Sequence, residues 1–162
     1  MKFKWAYFIL FFTLFAVLGY YREVFFVTYN HLMYIKFYGN NSEAPLAGFI
    51  RYFYDVPYNV LYKLKYPFTL LSVFLFALLS VLSIKYILNE KKLLRWVIYS
   101  YLLLLTLAGL SMLFGIIVNQ RLQNDEYTLS RWLLGIAQSP VITIVLLASH
   151  QLFTQQTKIE KE

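Results

Sequence analysis

The sequence predicts an all-α polytopic membrane protein: four transmembrane helices in a bundle, with short interfacial helices in the first extracytoplasmic loop. Three observations predict it. Apolar residues make up 60% of the 162 and charged residues only 14%, against roughly 45–50% and about 25% in soluble domains. The apolar residues cluster into four charge-free runs, and tryptophan and tyrosine stand at the ends of those runs. The same composition excludes disorder, a coiled coil, a collagen-like fibre and an ordinary cytosolic enzyme.

The charge-free runs cover residues 5–21, 66–84, 96–120 and 132–157, which are 17, 19, 25 and 26 residues long. A span needs about 20 apolar residues, so the expected spans are 5–21, 66–86, 96–118 and 132–154 of a single membrane domain, 1–162. Each is expected to be helical, because a helix satisfies its own backbone groups in lipid and an open strand does not. Trp5, Trp96 and Trp132 open three of the runs, and Tyr20, Tyr21 and Tyr66 flank others. Amphipathic rings of this kind favour the headgroup level. The first run reads as an uncleaved helix, since Gly19-Tyr20-Tyr21-Arg22 is too bulky for a signal-peptidase site.

Basic residues set the orientation. With the N-terminus inside, Lys2, Lys4, Lys85, Lys91, Lys92, Arg95, Lys158 and Lys161 fall in three short segments. Arg22, Lys36, Arg51, Lys63, Lys65, Arg121 and Arg131 are spread over the other side, mostly in a loop of more than forty residues. The denser group marks the cytoplasm. The expectation is a multi-pass membrane protein with both termini cytoplasmic.

The outer loop, 22–65, is rich in apolar side chains, notably Val24-Phe25-Phe26-Val27 and Leu32-Met33-Tyr34-Ile35. Gly39-Asn40-Asn41-Ser42 reads as a turn. Pro45 is placed to start a short helix over 46–54, and Pro57 interrupts the chain before a second short helix, 59–66, leading to Pro67. These helices are expected to lie on the outer leaflet and pack over the bundle; the alternative is a lid over a cavity or a docking face for a partner.

Chemistry-bearing residues are few. There is no cysteine, which excludes disulfides, thiolate metal sites and a cysteine nucleophile. The two histidines, His31 and His150, fall at opposite ends of the predicted spans. No Asp or Glu lies inside a span, which argues against an intramembrane aspartyl protease and a proton-coupled transporter. No cofactor, metal or nucleic acid is expected. Two polar clusters remain on the outer side. One is Arg22 and Glu23 with Asn30 two turns on, and the other is Arg131 with Gln138, Ser139 and Pro140. Pro140 lacks an amide and frees the carbonyl of Ile136, which Gln138 or Ser139 can satisfy. A kinked helix follows, with either polar interhelical glue or an outer-leaflet pocket in which Arg131 meets a headgroup phosphate. An ion pair between Glu23 and Arg131 is a further expectation. The small residues Gly109, Ser111, Gly115, Gly135 and Ala137 are expected to be packing surfaces. The run Lys91-Lys92-Leu93-Leu94-Arg95 reads as a topology anchor on anionic lipid.

Arg22-Glu23-Val24-Phe25-Phe26, and Ser130-Arg131-Trp132-Leu133-Leu134-Gly135-Ile136-Ala137-Gln138-Ser139-Pro140, resemble the exosortase F system-associated family of small four-span inner-membrane proteins of Bacteroidota-type bacteria. Two departures stand out: residues 24–37 contain no acid, and Ser139 separates Gln138 from Pro140. The resemblance implies an accessory protein.

The leading expectation is therefore a non-enzymatic integral membrane accessory or assembly subunit of a larger inner-membrane complex. Its partners would be membrane lipids and other membrane subunits. The alternative is an outer-leaflet lipid or polyprenyl-phosphate headgroup binder, a flippase or transferase subunit, acting through Arg22 and Arg131.

Overall fold

The computed structural model of the chain describes residues 2–39, 48–119 and 128–159. Among these residues there is no strand. They form α1 (Lys2–Tyr38), a 3₁₀ helix (Gly48–Phe53), α2 (Tyr58–Ile87), α3 (Lys91–Asn119), α4 (Thr128–Ala137) and α5 (Val141–Ile159). Helices α1, α2 and α3 are each long and apolar enough to cross a membrane, and α4 with α5 makes a fourth if the bent pair counts as one span.

Over the predicted outer loop, 22–65, the described residues are mostly helical. α1 does not stop at Arg22 but continues to Tyr38. Helical hydrogen bonds are internal, so surface charges such as Arg22 and Glu23 do not end them. No proline, and no glycine after Gly19, interrupts the chain until Gly39. Gly39 adopts a φ of 66°, a left-handed conformation that closes a helix at little cost only for glycine. Asn40, Asn41, Ser42 and Pro45 lie outside the described residues. The helix predicted over 46–54 is represented by the 3₁₀ segment Gly48–Phe53. α2 starts directly after Pro57, whose carbonyl accepts the amides of Val60 and Leu61 at 3.0 and 3.1 Å. No second short helix ends before Pro67, which sits inside α2.

The chain divides into two compact units, Met1–Phe15 with Val73–Glu162, and Ala16–Ser72. In the first, the start of α1 runs antiparallel to the end of α2. Phe15 stacks on Phe76 at 6.1 Å, and Phe11 and Tyr7 stack on Tyr86 at 6.2 and 5.7 Å. α2 turns into α3 through Asn89, which takes a φ of 56°. Asparagine tolerates this region better than most side chains. Val73, Ile84, Val97, Tyr101, Ala137 and Ile142 form the core, so α2, α3, α4 and α5 all contribute. α4 packs along α3. α5 then reaches the α2–α3 turn, where His150 Nε2 lies 3.3 Å from Glu90 Oε1.

In the second unit the hub is Tyr29, with no exposed surface, surrounded by Leu32, Met33, Ile50 and Leu61. The rings of Phe25, Phe53 and Phe68 lie 5.5, 6.1 and 5.7 Å from it. Phe25, Tyr29, Leu32 and Met33 recur at helical spacing, so the apolar runs of the expected loop are the inner face of a helix.

The small residues divide differently from expectation. Ala108 and Ala137 are buried, but a Cβ added to Gly109 or Gly135 would meet nothing within 4 Å. Close approach of helices uses the alanines, while Gly109 sits one position round on the exposed side of α3. Gly109→Ala is therefore expected to be tolerated or to raise stability by about 0.5–1 kcal/mol, the helical cost of glycine relative to alanine. The measurement is the thermal midpoint in mild detergent; a fall would restore Gly109 to a packing contact.

Candidate functional site

The seven residues singled out by sequence divide between the two units. Arg22, Glu23 and Asn30 lie on α1 in the second unit, and Arg131, Gln138, Ser139 and Pro140 belong to the first. On α1 the Arg22 guanidinium donates to the Glu23 carboxylate at 2.8 Å. Its Cζ also lies 5.5 Å from the centre of the Phe26 ring. Arg22 is thus held by a neutralising acid and an aromatic face on its own helix. Asn30 follows the buried Tyr29 and is itself half-buried.

The second group marks a break. α4 ends at Ala137, α5 begins at Val141, and the two axes are bent by 64°. Pro140 has no amide to offer the carbonyl of Ile136, four residues earlier. Ser139 supplies the replacement: its Oγ donates to that carbonyl at 2.7 Å, and its amide does so at 3.2 Å. The same oxygen accepts the amide of Val141 at 3.4 Å, so Ser139 also satisfies the first amide of α5, while the Pro140 carbonyl accepts the amide of Ile144 at 3.0 Å. Gln138 is buried and its amide still bonds to Leu134 at 2.9 Å. Arg131 is exposed, and the buried polar residue beside it is Ser130.

Next to the break in sequence is a hydroxyl cluster that sequence reasoning missed. Ser80 on α2, Tyr101 on α3 and Thr143 on α5 are all buried. Thr143 Oγ1 donates to Ser80 Oγ at 2.8 Å, and Ser80 Oγ donates to the Phe76 carbonyl at 2.7 Å. Tyr101 lies 3.0 Å from the same oxygen. A serine hydroxyl has one proton and two lone pairs. The proton goes to Phe76 and one lone pair to Thr143, so Tyr101 is the second donor and the inventory of Ser80 is full. Ser83 Oγ adds a bond to the Ser80 carbonyl at 2.8 Å. These groups join three helices and leave Ser80 no capacity for a ligand. The signal in the sequence was only four hydroxyls within apolar runs, which are common in such helices.

A third feature is the end of the first unit where α2 meets α3. Lys85, Lys91, Lys92 and Arg95 are exposed there. Among the described residues no salt bridge involves them, and the nearby acid, Glu90, faces His150. Trp96 and Tyr99, also exposed, follow on α3 with their rings edge to face at 6.4 Å.

Comparison with protein families, with characterised proteins and with solved structures finds no match to this chain.

Proposed function

We propose that the protein is a multi-pass integral membrane protein with four spans. It would serve as an accessory or assembly subunit of a larger inner-membrane complex, with both termini cytoplasmic. Long apolar helices support insertion in a membrane. The four-span reading is supported by the path of the bent pair: α4 packs along α3, and α5 passes Glu90 through His150, at the opposite end of α3 from Asn119. A re-entrant loop would have turned back toward Asn119. The cytoplasmic assignment of the α2–α3 turn rests on its exposed cations.

The observation that carries the subunit reading is the length and surface of α1. Its 37 residues rise about 55 Å, against a hydrocarbon core of about 30 Å. Tyr34, Phe37 and Tyr38, at its far end, are exposed, as are Tyr52 and Tyr54 of the same unit. Aromatic surface beyond a membrane's thickness is the kind that another protein covers. The resemblance to the exosortase F system-associated family belongs to the same proposal and would make that complex part of an exosortase system. The headgroup-binder alternative through Arg22 draws less support, since Glu23 already neutralises Arg22.

The test is native mass spectrometry of the full chain after mild extraction, beside a variant with Tyr34, Phe37 and Tyr52 changed to serine. A stoichiometric protein partner on the wild type, lost from the variant, is the expected result. A polyprenyl phosphate retained equally by both, with no protein partner, would replace the subunit reading by the alternative. In intact cells an impermeant maleimide is expected to label Asn59→Cys and not Lys91→Cys; the reverse pattern inverts the topology.

A further inference from the structure

The exposed cations at the α2–α3 turn lead into a long apolar face. From Lys92 the outward side of α3 runs through Trp96, Tyr99, Leu103, Leu110 and Ile117, every one of them exposed. This places charge, then amphipathic rings, then aliphatic side chains in one line along a single helix. A phospholipid has the same order: phosphate, glycerol-ester region, acyl chain. The charge is also unbalanced: among the described residues no salt bridge involves Lys85, Lys91, Lys92 or Arg95, and Glu90, beside Lys91 in the chain, is engaged by His150.

We propose that Lys91, Lys92 and Arg95, with Lys85 beside them, hold the phosphate of an anionic phospholipid whose chains lie along the exposed face of α3. Charge complementarity selects the occupant: a zwitterionic headgroup brings its own cation into the cluster, and an anionic one does not. Arg95 contributes a planar fork suited to two phosphate oxygens, while the lysines act as point charges. Trp96 and Tyr99 follow one turn or so deeper, at the level where such rings favour the ester region. The inference rests on the membrane reading but not on the subunit reading, and it uses neither Arg22 nor Arg131.

The experiment uses the purified full chain in mild detergent, titrated with phosphatidylglycerol or phosphatidylcholine and read by native mass spectrometry. The wild type is expected to retain phosphatidylglycerol at least about tenfold more than phosphatidylcholine. Each cation removed singly, as Lys92→Gln or Arg95→Gln, should weaken phosphatidylglycerol about fivefold. Arg95→Lys should keep most of the preference, and Lys63→Gln, an exposed cation of the other unit, should keep all of it. The triple variant Lys91→Gln, Lys92→Gln, Arg95→Gln should bind the two lipids alike. If it misfolds, seen as lost helical circular dichroism, the single variants decide. Equal retention of the two lipids by the wild type, or an unchanged preference in the folded variants, overturns the proposal. So does displacement of phosphatidylglycerol by millimolar inorganic phosphate, which would make this a free-phosphate site. Release of the protein from membranes by alkaline carbonate would instead mark failure of the membrane reading.

Discussion

Tyr29→Ala is expected to destabilise the protein by about 3–5 kcal/mol, the range for removing a large buried ring. Tyr29 has no exposed surface and sits among three aromatic rings. Its hydroxyl donates to the Leu61 carbonyl at 2.7 Å, which ties α1 to α2 within the second unit. Tyr29→Phe keeps the ring and removes only that bond, so it should cost about 1 kcal/mol. The measurement is unfolding in mixed micelles, followed by near-ultraviolet circular dichroism. Equal costs for the two variants would mean that the hydroxyl, not the ring packing, holds this unit together.

The second large effect is expected at Ser80. Ser80→Ala should cost about 2–3 kcal/mol, although it removes a single oxygen, because Thr143 and Tyr101 both donate to that oxygen and would become buried donors without an acceptor. Thr143→Val or Tyr101→Phe alone should each cost about 1 kcal/mol, near the average for such bonds between membrane helices. The diagnostic result is non-additivity. The triple variant Ser80→Ala, Thr143→Val, Tyr101→Phe should be more stable than the sum of its parts, since no donor is left orphaned. Additive losses would show that the three hydroxyls act independently.

Much of the helical layout was legible in the gaps between charges, because the cost of burying a charge in lipid excludes Lys, Arg, Asp and Glu from a span. The same rule does not mark where a helix ends. Arg22 closes the first charge-free run, but α1 continues to Tyr38, since charge governs where a side chain sits and not whether the backbone stays helical. The loop's apolar residues Phe25, Tyr29, Leu32 and Met33 held the helical period that would have shown this. The break before α5 was legible from covalent structure alone: proline removes one amide at a known offset, and Ser139 meets the carbonyl it leaves. The hydroxyl junction was not, because Tyr101 and Thr143 are 21 and 63 residues from Ser80 along the chain. Only packing decides which hydroxyls of an apolar run face inward. Glycine suffered the same ambiguity, and a step of about 100° along α3 separates the exposed Gly109 from the buried Ala108.

The length of α1 also bears on how the protein meets bilayers of different thickness. A helix that ends at the interface must tilt, or deform the lipid, when the membrane thickens. α1 and α2, at 37 and 30 residues, rise about 55 and about 45 Å, so neither runs out of helix within a bilayer of ordinary thickness. Under the proposed topology, with Tyr20 and Tyr21 at the interface, thickening by one turn, about 5 Å, would submerge them without unwinding a backbone hydrogen bond. The resistance comes instead from Arg22 and Glu23, already paired at 2.8 Å, which would have to follow them. Immersion depth is then set by a charged pair acting as a float line, and hydrophobic mismatch becomes an electrostatic quantity rather than a conformational one.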